Sequence, residues 1–202
     1  MKRKLVVFDM DDVMYNFNEK VAALTGVPYH KFTQFDTYSN PNMTEGEKER
    51  VLAAYQNPDT YRDIVFLKPV IDLINGLHRD HPELLVIINS NCAGPEIRDI
   101  KMEQLLPVLD LPESQIHLNV IDMETQSLQK KLPEDMFIIV DDSIHNIIMA
   151  DALHKIMPAR PHNEGTLDAE GHVCGWYVDR PMTAEDLVAT VMKYVKRGIE
   201  ND

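Results

Sequence analysis

The sequence predicts an α/β protein with a doubly wound, Rossmann-like parallel sheet and a small helical cap inserted after the first strand. Three observations lead to this prediction. Continuous apolar runs of strand length occur at residues 5–8, 84–88 and 137–140, and a polar cluster ends each of them. Patterns typical of amphipathic helices lie between these runs. A long interval that is rich in aromatic residues separates the first run from the second.

The three strong runs are hydrophobic without alternation, which is typical of strands covered on both faces, as in a parallel sheet. Weaker strand candidates lie at 116–121, 154–157 and 173–178. Strands that alternate with helices in this way are joined by right-handed crossovers, and such crossovers build a doubly wound sheet.

Helix signals fill the spaces between the strand candidates. Asn16 or Asn18 is expected to cap a helix that runs to Thr25, where Gly26 ends it. Thr44, with a glutamate three positions later, has the spacing of a capping box. Further helices are predicted to begin near Pro69, Pro95, Ser143 and Thr183.

The chain is expected to divide into a core and a cap. The interval 15–66 is too long for a simple crossover and carries many aromatic side chains, so it is interpreted as a helical cap above the strand ends. Residues 1–14 and 67–202 then form the α/β core. The last core helix is expected to end near Lys196.

The composition excludes several classes of protein. The 202 residues are 44% hydrophobic and 26% charged, which is typical of a globular chain. The net charge of −13 opposes binding to duplex nucleic acid. The apolar run 5–8 is too short for a secretory signal, and no stretch is long enough to cross a membrane. Two cysteines without paired spacing favour free thiols, so a cytoplasmic location is expected. The protein is expected to be a monomer or a homodimer.

Ligands of open α/β sheets bind beyond the carboxyl ends of the strands. Since the polar clusters lie at three such ends, one pocket is expected to collect many oxygen-bearing side chains. Converging carboxylates repel one another, and a divalent cation relieves that repulsion. Oxygen ligands without paired His or Cys favour Mg²⁺. The pocket is predicted to contain Asp9, Asp11, Asp12, Asn89, Ser90, Asn91, Asp141 and Asp142.

This set of residues suits phosphoryl transfer. Asp9 and Asp11 point the same way from an extended segment, so one can act as nucleophile and the other as proton donor. Ser90, near the start of a helix, can hold a phosphate oxygen. Lys130 or Lys131 precedes the strand that leads to Asp141, and either can reach the site.

These motifs resemble a known superfamily. The segment FDMDDV, the strand that ends in Ser90, the lysine Lys131 and the segment VDD are similar to the four motifs of the haloacid dehalogenase-like (HAD) superfamily of aspartate phosphohydrolases. The second acid, Asp11, indicates a phosphatase-type member. Within the superfamily the chain most resembles the 5′(3′)-deoxyribonucleotidases, because of the cap, the terminal Asp pair and a lysine ten residues before that pair.

The resemblance implies a role for each matched residue. It implies that Asp9 is the nucleophile, that Asp11 is the general acid and that Phe17 helps to wall a base pocket. Mg²⁺ would be held by Asp9, the carbonyl of Asp11 and Asp141, with support from Asp142. Phosphate would be contacted by Ser90, Asn91 and Lys131, with Lys130 as a solvated neighbour. The substrate implied is a nucleoside monophosphate.

One position departs from the family pattern. Asp12 stands where the family usually has glycine, and a turn with positive φ there would tolerate aspartate less well than glycine. Two alternatives therefore stay open: a phosphatase for another small phosphoester such as a sugar phosphate, and a catalytically silent module that binds Mg²⁺ or phosphate. His162, His172 and Cys174 do not have the spacing of a standard metal site.

Overall fold

The computed structural model describes residues 3–121, 130–168 and 171–200. Within these ranges the main sheet has five parallel strands in the order β3-β2-β1-β4-β5. The predicted α/β class with a parallel sheet is confirmed. The strands are β1 (Lys4–Phe8), β2 (Leu84–Cys92), β3 (Ile116–Val120), β4 (Met136–Val140) and β5 (Ala152–Ile156).

Helices flank the sheet at the predicted places. Gly26 ends the first helix in the left-handed conformation, with φ of 69°, and Thr44 and Glu47 make both bonds of the capping box. No helix in the described ranges is long and apolar enough to cross a membrane. The helices are α1 (Phe17–Thr25), α2 (Glu45–Gln56), α3 (Lys68–Asp80), α4 (Pro95–Leu105), α5 (Ile144–Met149) and α6 (Ala184–Glu200).

Both faces of the sheet are covered, as the unbroken apolar runs predict. Val6 and Phe8 of β1 join a large hydrophobic cluster that includes residues of α3, α4 and α6. Val7, between them, joins a smaller cluster with Ile139 of β4 and Ile147 of α5. Alternate side chains of one strand therefore reach two separate apolar layers.

The helical segment after β1 packs directly onto the core. It contains α1, α2 and two 3₁₀ helices, Tyr29–Lys31 and Pro58–Tyr61. The backbone N–H of Leu67 donates to the carbonyl of Met14 at 2.8 Å, which closes the base of the segment. Its buried hydrophobic side chains belong to the same cluster as Val6 and Phe8 of β1. The division into a core and a cap with boundaries at 14 and 67 stays a prediction.

The weak strand candidate 173–178 is wrong. Residues His172–Val173 and Trp176–Tyr177 form two short antiparallel strands, β6 and β7, outside the main sheet. Cys174 and Gly175, between them, have φ of 47° and 81°. Positive φ at both central residues is the geometry of a two-residue hairpin turn, and it reverses the chain.

The last helix is longer than predicted and ends at Glu200. Gly198 packs against the ring of Phe137 on β4, and the carbonyl of Gly198 accepts a hydrogen bond from Nζ of Lys4 at 2.5 Å. These contacts hold the final turn against the sheet. They depend on tertiary packing that the local sequence pattern does not contain.

Candidate active site

The carboxyl ends of β1 and β4 bring three aspartates together. The backbone N–H of Asp9 donates to the carbonyl of Val140 at 2.8 Å, which ties the end of β1 to the end of β4. Carboxylate oxygens of Asp9, Asp141 and Asp142 all lie within 4.8 Å of one another, and all three residues are buried. Segments that are distant in the sequence therefore meet at one point.

A lysine lies between two of these carboxylates. Nζ of Lys130 is 2.7 Å from Oδ1 of Asp9 and 2.7 Å from Oδ2 of Asp141, and its side chain is only 4% exposed. Burial works against its charge, but the attraction of Asp141 and Asp9 outweighs burial and raises the pKa of Lys130 above its ordinary value. Lys130 therefore remains an ammonium ion at neutral pH.

Lys131 is predicted to contact phosphate and Lys130 to be a solvated neighbour, and the structure buries Lys130 instead. Lys131 is exposed, and its carbonyl accepts a hydrogen bond from Nδ2 of Asn89 at 3.0 Å. This bond fixes the backbone at position 131 against β2 while the side chain points to solvent. A motif defined by its distance from the aspartate pair does not discriminate between neighbouring lysines. The contacts place Lys130 beside Asp9 and Asp141, and contact of Lys131 with phosphate stays a prediction.

Asp141 is held in position by donors of the following turn. Its Oδ1 accepts from the backbone N–H of Ser143 at 2.9 Å and from Nδ2 of Asn146 at 3.0 Å. Burial raises the pKa of Asp141 above its usual value, although Lys130 opposes that rise. Burial also raises the pKa of Asp142 to about 6. Both carboxyl groups therefore favour a cation beside them.

The donor set fits the Mg²⁺ ion that the sequence predicts. Asp9, Asp141 and Asp142 offer oxygen ligands at one buried point, and Mg²⁺ prefers such ligands. Lys130 supplies part of the compensating positive charge, and a divalent cation would supply more. The carbonyl of Asp11 as a further ligand stays a prediction.

Both carboxylate oxygens of Asp11 are engaged. The hydroxyl of Tyr15 donates to Oδ1, and Nζ of Lys101 is 2.6 Å from Oδ2. Burial, together with Asp11, raises the pKa of Tyr15 well above its usual range, so the tyrosine stays a donor. These two partners fix the orientation of the carboxylate that is predicted to be the general acid.

Lys101 was missed by the sequence argument. It is 0% exposed, and its Nζ also lies 3.3 Å from the carbonyl of Asn91 and 5.1 Å from the centre of the Tyr61 ring. A signal existed in the sequence: Ile97, Lys101 and Leu105 recur every four residues on the apolar face of α4. A lysine on such a face is buried, and buried lysines need an acidic partner.

Ser90 and Asn91 lie near the end of β2, the strand on the other side of β1. Ser90 is buried and Asn91 is half-buried. Nδ2 of Asn119 donates to Oδ1 of Asn89 at 2.8 Å and to the carbonyl of Ser90 at 3.4 Å. These bonds fasten the end of β2 to β3. Contact of Ser90 and Asn91 with a phosphate stays a prediction.

Phe17 lies inside an aromatic cluster. Its ring stacks on Tyr61 at 5.0 Å and on Tyr55 at 5.6 Å, and it meets the edge of Tyr15 at 5.9 Å. Only 7% of the residue is exposed. In this arrangement Phe17, the first residue of α1, packs against other aromatic side chains of the same helical segment, and its role as a wall of a base pocket stays a prediction.

Asp12 has a φ of 54°, which is the left-handed backbone conformation that favours glycine. This is the positive φ that the departure from the family pattern suggested. The Asp12 carboxylate accepts from the backbone N–H of Asn18 at 3.1 Å, which caps α1, whereas Asn16 makes no capping bond. Burial, reinforced by the nearby Asp142, raises the pKa of Asp12 to about 7. Asp12 therefore has structural contacts that glycine would lack.

No protein-family model matches the chain, and no curated protein matches it in sequence. Solved structures do match. A haloacid dehalogenase-like family hydrolase from Streptococcus pneumoniae superposes with a TM-score of 0.56 and 12% identity, covering 94% of this chain and 99% of that chain. A HAD-superfamily hydrolase from Ehrlichia chaffeensis superposes with a TM-score of 0.51 and 14% identity, covering 96% and 99%.

The HAD-hydrolase YfnB from Bacillus subtilis, whose structure was determined bound to magnesium, gives a TM-score of 0.51 at 14% identity and covers 95% of this chain and 99% of that chain. Similarity at such low identity establishes an architecture and leaves the activity to the site residues. This chain therefore has the Rossmann-like α/β fold of the haloacid dehalogenase-like hydrolases.

Proposed function

We propose that this protein is a Mg²⁺-dependent phosphomonoesterase that works through a phospho-aspartate. One observation carries the proposal: Asp9, Lys130 and the pair Asp141 and Asp142 converge at the ends of neighbouring parallel strands. The fold of HAD hydrolases agrees with this chemistry. The structural similarity favours a hydrolase, and the carboxylate pair Asp9 and Asp11 favours phosphate esters as its substrates.

In the first half of the proposed reaction, a carboxylate oxygen of Asp9 attacks phosphorus and forms an acyl phosphate. The bond between phosphorus and the alcohol oxygen breaks, and that oxygen takes a proton from Asp11, which takes up this proton in place of its ion pair with Lys101 before the reaction. In the second half, water attacks the phosphorus, Asp11 accepts a proton from the water, and the bond from phosphorus to Asp9 breaks. Inorganic phosphate leaves, and both aspartates return to their starting forms.

The remaining residues bind and orient. The Lys130 ammonium holds Asp9 and faces the charge of the transferring phosphoryl group. Ser90 and Asn91 are proposed to bind the other phosphate oxygens. Bound Mg²⁺ would neutralise phosphate oxygens and align the phosphorus with Asp9. Lys101 and Tyr15 keep the Asp11 side chain in one orientation.

The substrate is proposed to be a nucleoside monophosphate, on the resemblance of the motifs and the cap to deoxyribonucleotidases. One observation favours a second candidate, a smaller phosphoester such as a sugar phosphate. Phe17 is covered by Tyr55 and Tyr61, so it offers little open aromatic surface to a base. A panel of monophosphates with and without a base discriminates between these two candidates.

The proposal is tested by phosphate release from that panel with Mg²⁺, with EDTA and with Asp9→Asn. We expect turnover only with Mg²⁺, and we expect Asp9→Asn to reduce it by about 10³-fold or more because the nucleophile is lost. Asp72→Asn, at an exposed ion pair on α3, is the matched control and should keep its activity. Equal rates in all conditions would overturn the proposal, and binding of Mg²⁺ without turnover would favour a silent module.

A further inference from the structure

We propose that Asp12, Asp142 and His162 form a second cation site, which lies beside the predicted Mg²⁺ site and suits a divalent transition-metal ion. One ligand atom from each of the three residues lies within 4.8 Å of the other two. Asp142 belongs to both groups of ligands. The inference concerns binding alone and does not depend on the reaction proposed above.

All three residues are buried, with 1% of Asp12, 5% of Asp142 and 7% of His162 exposed. Nε2 of His162 lies 2.8 Å from Oδ2 of Asp142. Two ligand atoms of a tetrahedral zinc-like ion are about 3.4 Å apart, since each is about 2.1 Å from the metal. The observed separation is shorter, so the two side chains would move slightly apart when an ion binds.

His162 points to a missing partner. Among the described residues, no hydrogen bond is formed by Nδ1 of its ring, which is buried. Nε2 is paired with the Asp142 carboxylate at 2.8 Å. A buried ring nitrogen without a hydrogen-bond partner is costly. A metal ion bound to its nitrogen would remove that cost.

Neighbouring groups orient the proposed ligands, as they do in metal sites. Nδ2 of Asn18 donates to Oδ2 of Asp12 at 2.5 Å. Nδ2 of Asn163, the residue after His162, donates to the carbonyl of Asp142 at 2.9 Å. Arg160 is the nearby cation, and its Nε donates to the carbonyl of Asp12 at 2.9 Å, so it leaves the Asp12 carboxylate to other partners.

The ligand types set the class of ion. Imidazole suits zinc, cobalt, iron and other transition metals, whereas Mg²⁺ prefers sites with oxygen alone. The group formed by Asp12, Asp142 and His162 combines two carboxylates with one imidazole. The group formed by Asp9, Asp141 and Asp142 has oxygen ligands only. The two sites therefore differ in the ion that they favour.

Binding of Co²⁺ in excess Mg²⁺, followed by visible absorption and equilibrium dialysis, tests the proposal. We expect wild type to bind one equivalent of Co²⁺, and we expect His162→Gln and Asp12→Gly to weaken binding by about 100-fold or more because each removes a ligand. His172→Gln, at a partly exposed histidine that pairs with Asp168, is the matched control and should bind as wild type does.

Two results would overturn the proposal: absence of Co²⁺ binding by wild type in excess Mg²⁺, or unchanged affinity in the two variants. If His162→Gln fails to fold, Asp12→Gly decides alone, because glycine adopts a φ of 54° without strain. Asp9→Asn should keep Co²⁺ bound at this site even when phosphatase activity is lost. Failure of the proposed reaction is thus distinguished from failure of the second site.

Discussion

At the scale of single residues, the site is defined by which charged groups are buried together. Lys130 contacts both Asp9 and Asp141, whereas its neighbour Lys131 is exposed. The sequence could predict the aspartates, because each directly follows a strand. It could not choose between adjacent lysines, since that choice depends on how the segment before β4 lies against β2.

The first residue prediction separates the two lysines. Lys130→Met should lower kcat by about 10²–10³-fold, because it removes the charge beside the nucleophile. Lys131→Met should change kcat less than about threefold, because the side chain contacts solvent. Steady-state phosphate release from both variants, with folding checked by circular dichroism, makes the comparison. A larger loss in Lys131→Met would restore the assignment made from the motif spacing.

A second residue prediction concerns Lys101, which orients Asp11. Lys101→Met should slow cleavage of an alkyl phosphate by about 10²-fold, because that leaving group needs a well-placed proton donor. The first turnover of p-nitrophenyl phosphate should slow much less, since its leaving group departs without protonation. Rapid-quench measurements on both substrates give the ratio, and Lys101→Arg should recover part of the loss. Equal losses for the two substrates would show that Lys101 does not act through Asp11.

At the scale of elements, local signals predicted most boundaries correctly. The capping box at Thr44 and the glycine stop at Gly26 appear as expected, because such signals need only neighbouring residues. The end of α6 and the turn between β6 and β7 were predicted wrongly. The helix end depends on Gly198 meeting Phe137 across the fold, and the hairpin depends on a cysteine with positive φ.

The contact at the end of α6 gives a prediction of stability. Gly198→Ala should lower the free energy of unfolding by about 1–3 kcal/mol, because the new Cβ would collide with the Phe137 ring. Chemical denaturation measures the change. Phe137→Leu combined with Gly198→Ala should recover part of the loss, since the smaller side chain makes room. An alanine variant as stable as wild type would refute the close contact.

At the scale of the whole molecule, the parallel sheet gathers segments that are distant in the sequence at one edge. The polar ends of the apolar runs were sufficient to predict this edge, because parallel strands end on the same side. Contacts from later in the chain, such as His162 beside Asp142, could not be predicted, since they depend on how a loop folds back. The charge gathered at this edge affects the stability of the entire protein.

The pH dependence of stability follows from Asp12 and Asp142. Burial raises their pKa values to about 7 and about 6, so the folded protein binds protons more tightly than the unfolded chain does. Stability of the metal-free protein should therefore fall as pH rises from about 4 through 7. Melting temperatures between pH 5.5 and 8 should show this fall, with a shallower slope in Asp12→Gly. Identical slopes in the two proteins would contradict this origin.

Added Mg²⁺ provides the matching control for that experiment. Since the cation compensates the buried carboxylates, it should raise the melting temperature more at pH 8 than at pH 5.5. Asp9→Asn should reduce this effect of Mg²⁺, because it removes one proposed ligand. Stabilisation by Mg²⁺ that is independent of pH would speak against Asp142, which is common to both explanations, acting in both effects.

The most direct measurement traps the covalent intermediate. The enzyme is mixed with substrate and Mg²⁺, quenched in acid and treated with borohydride, which reduces an acyl phosphate to an alcohol, and its peptides are analysed by mass spectrometry. Our account predicts homoserine in place of Asp9. It predicts no reduction at Asp9 when the enzyme is treated in the same way without substrate. Substrate turnover with Asp9 unmodified, or with the phosphoryl group on another residue, would contradict it.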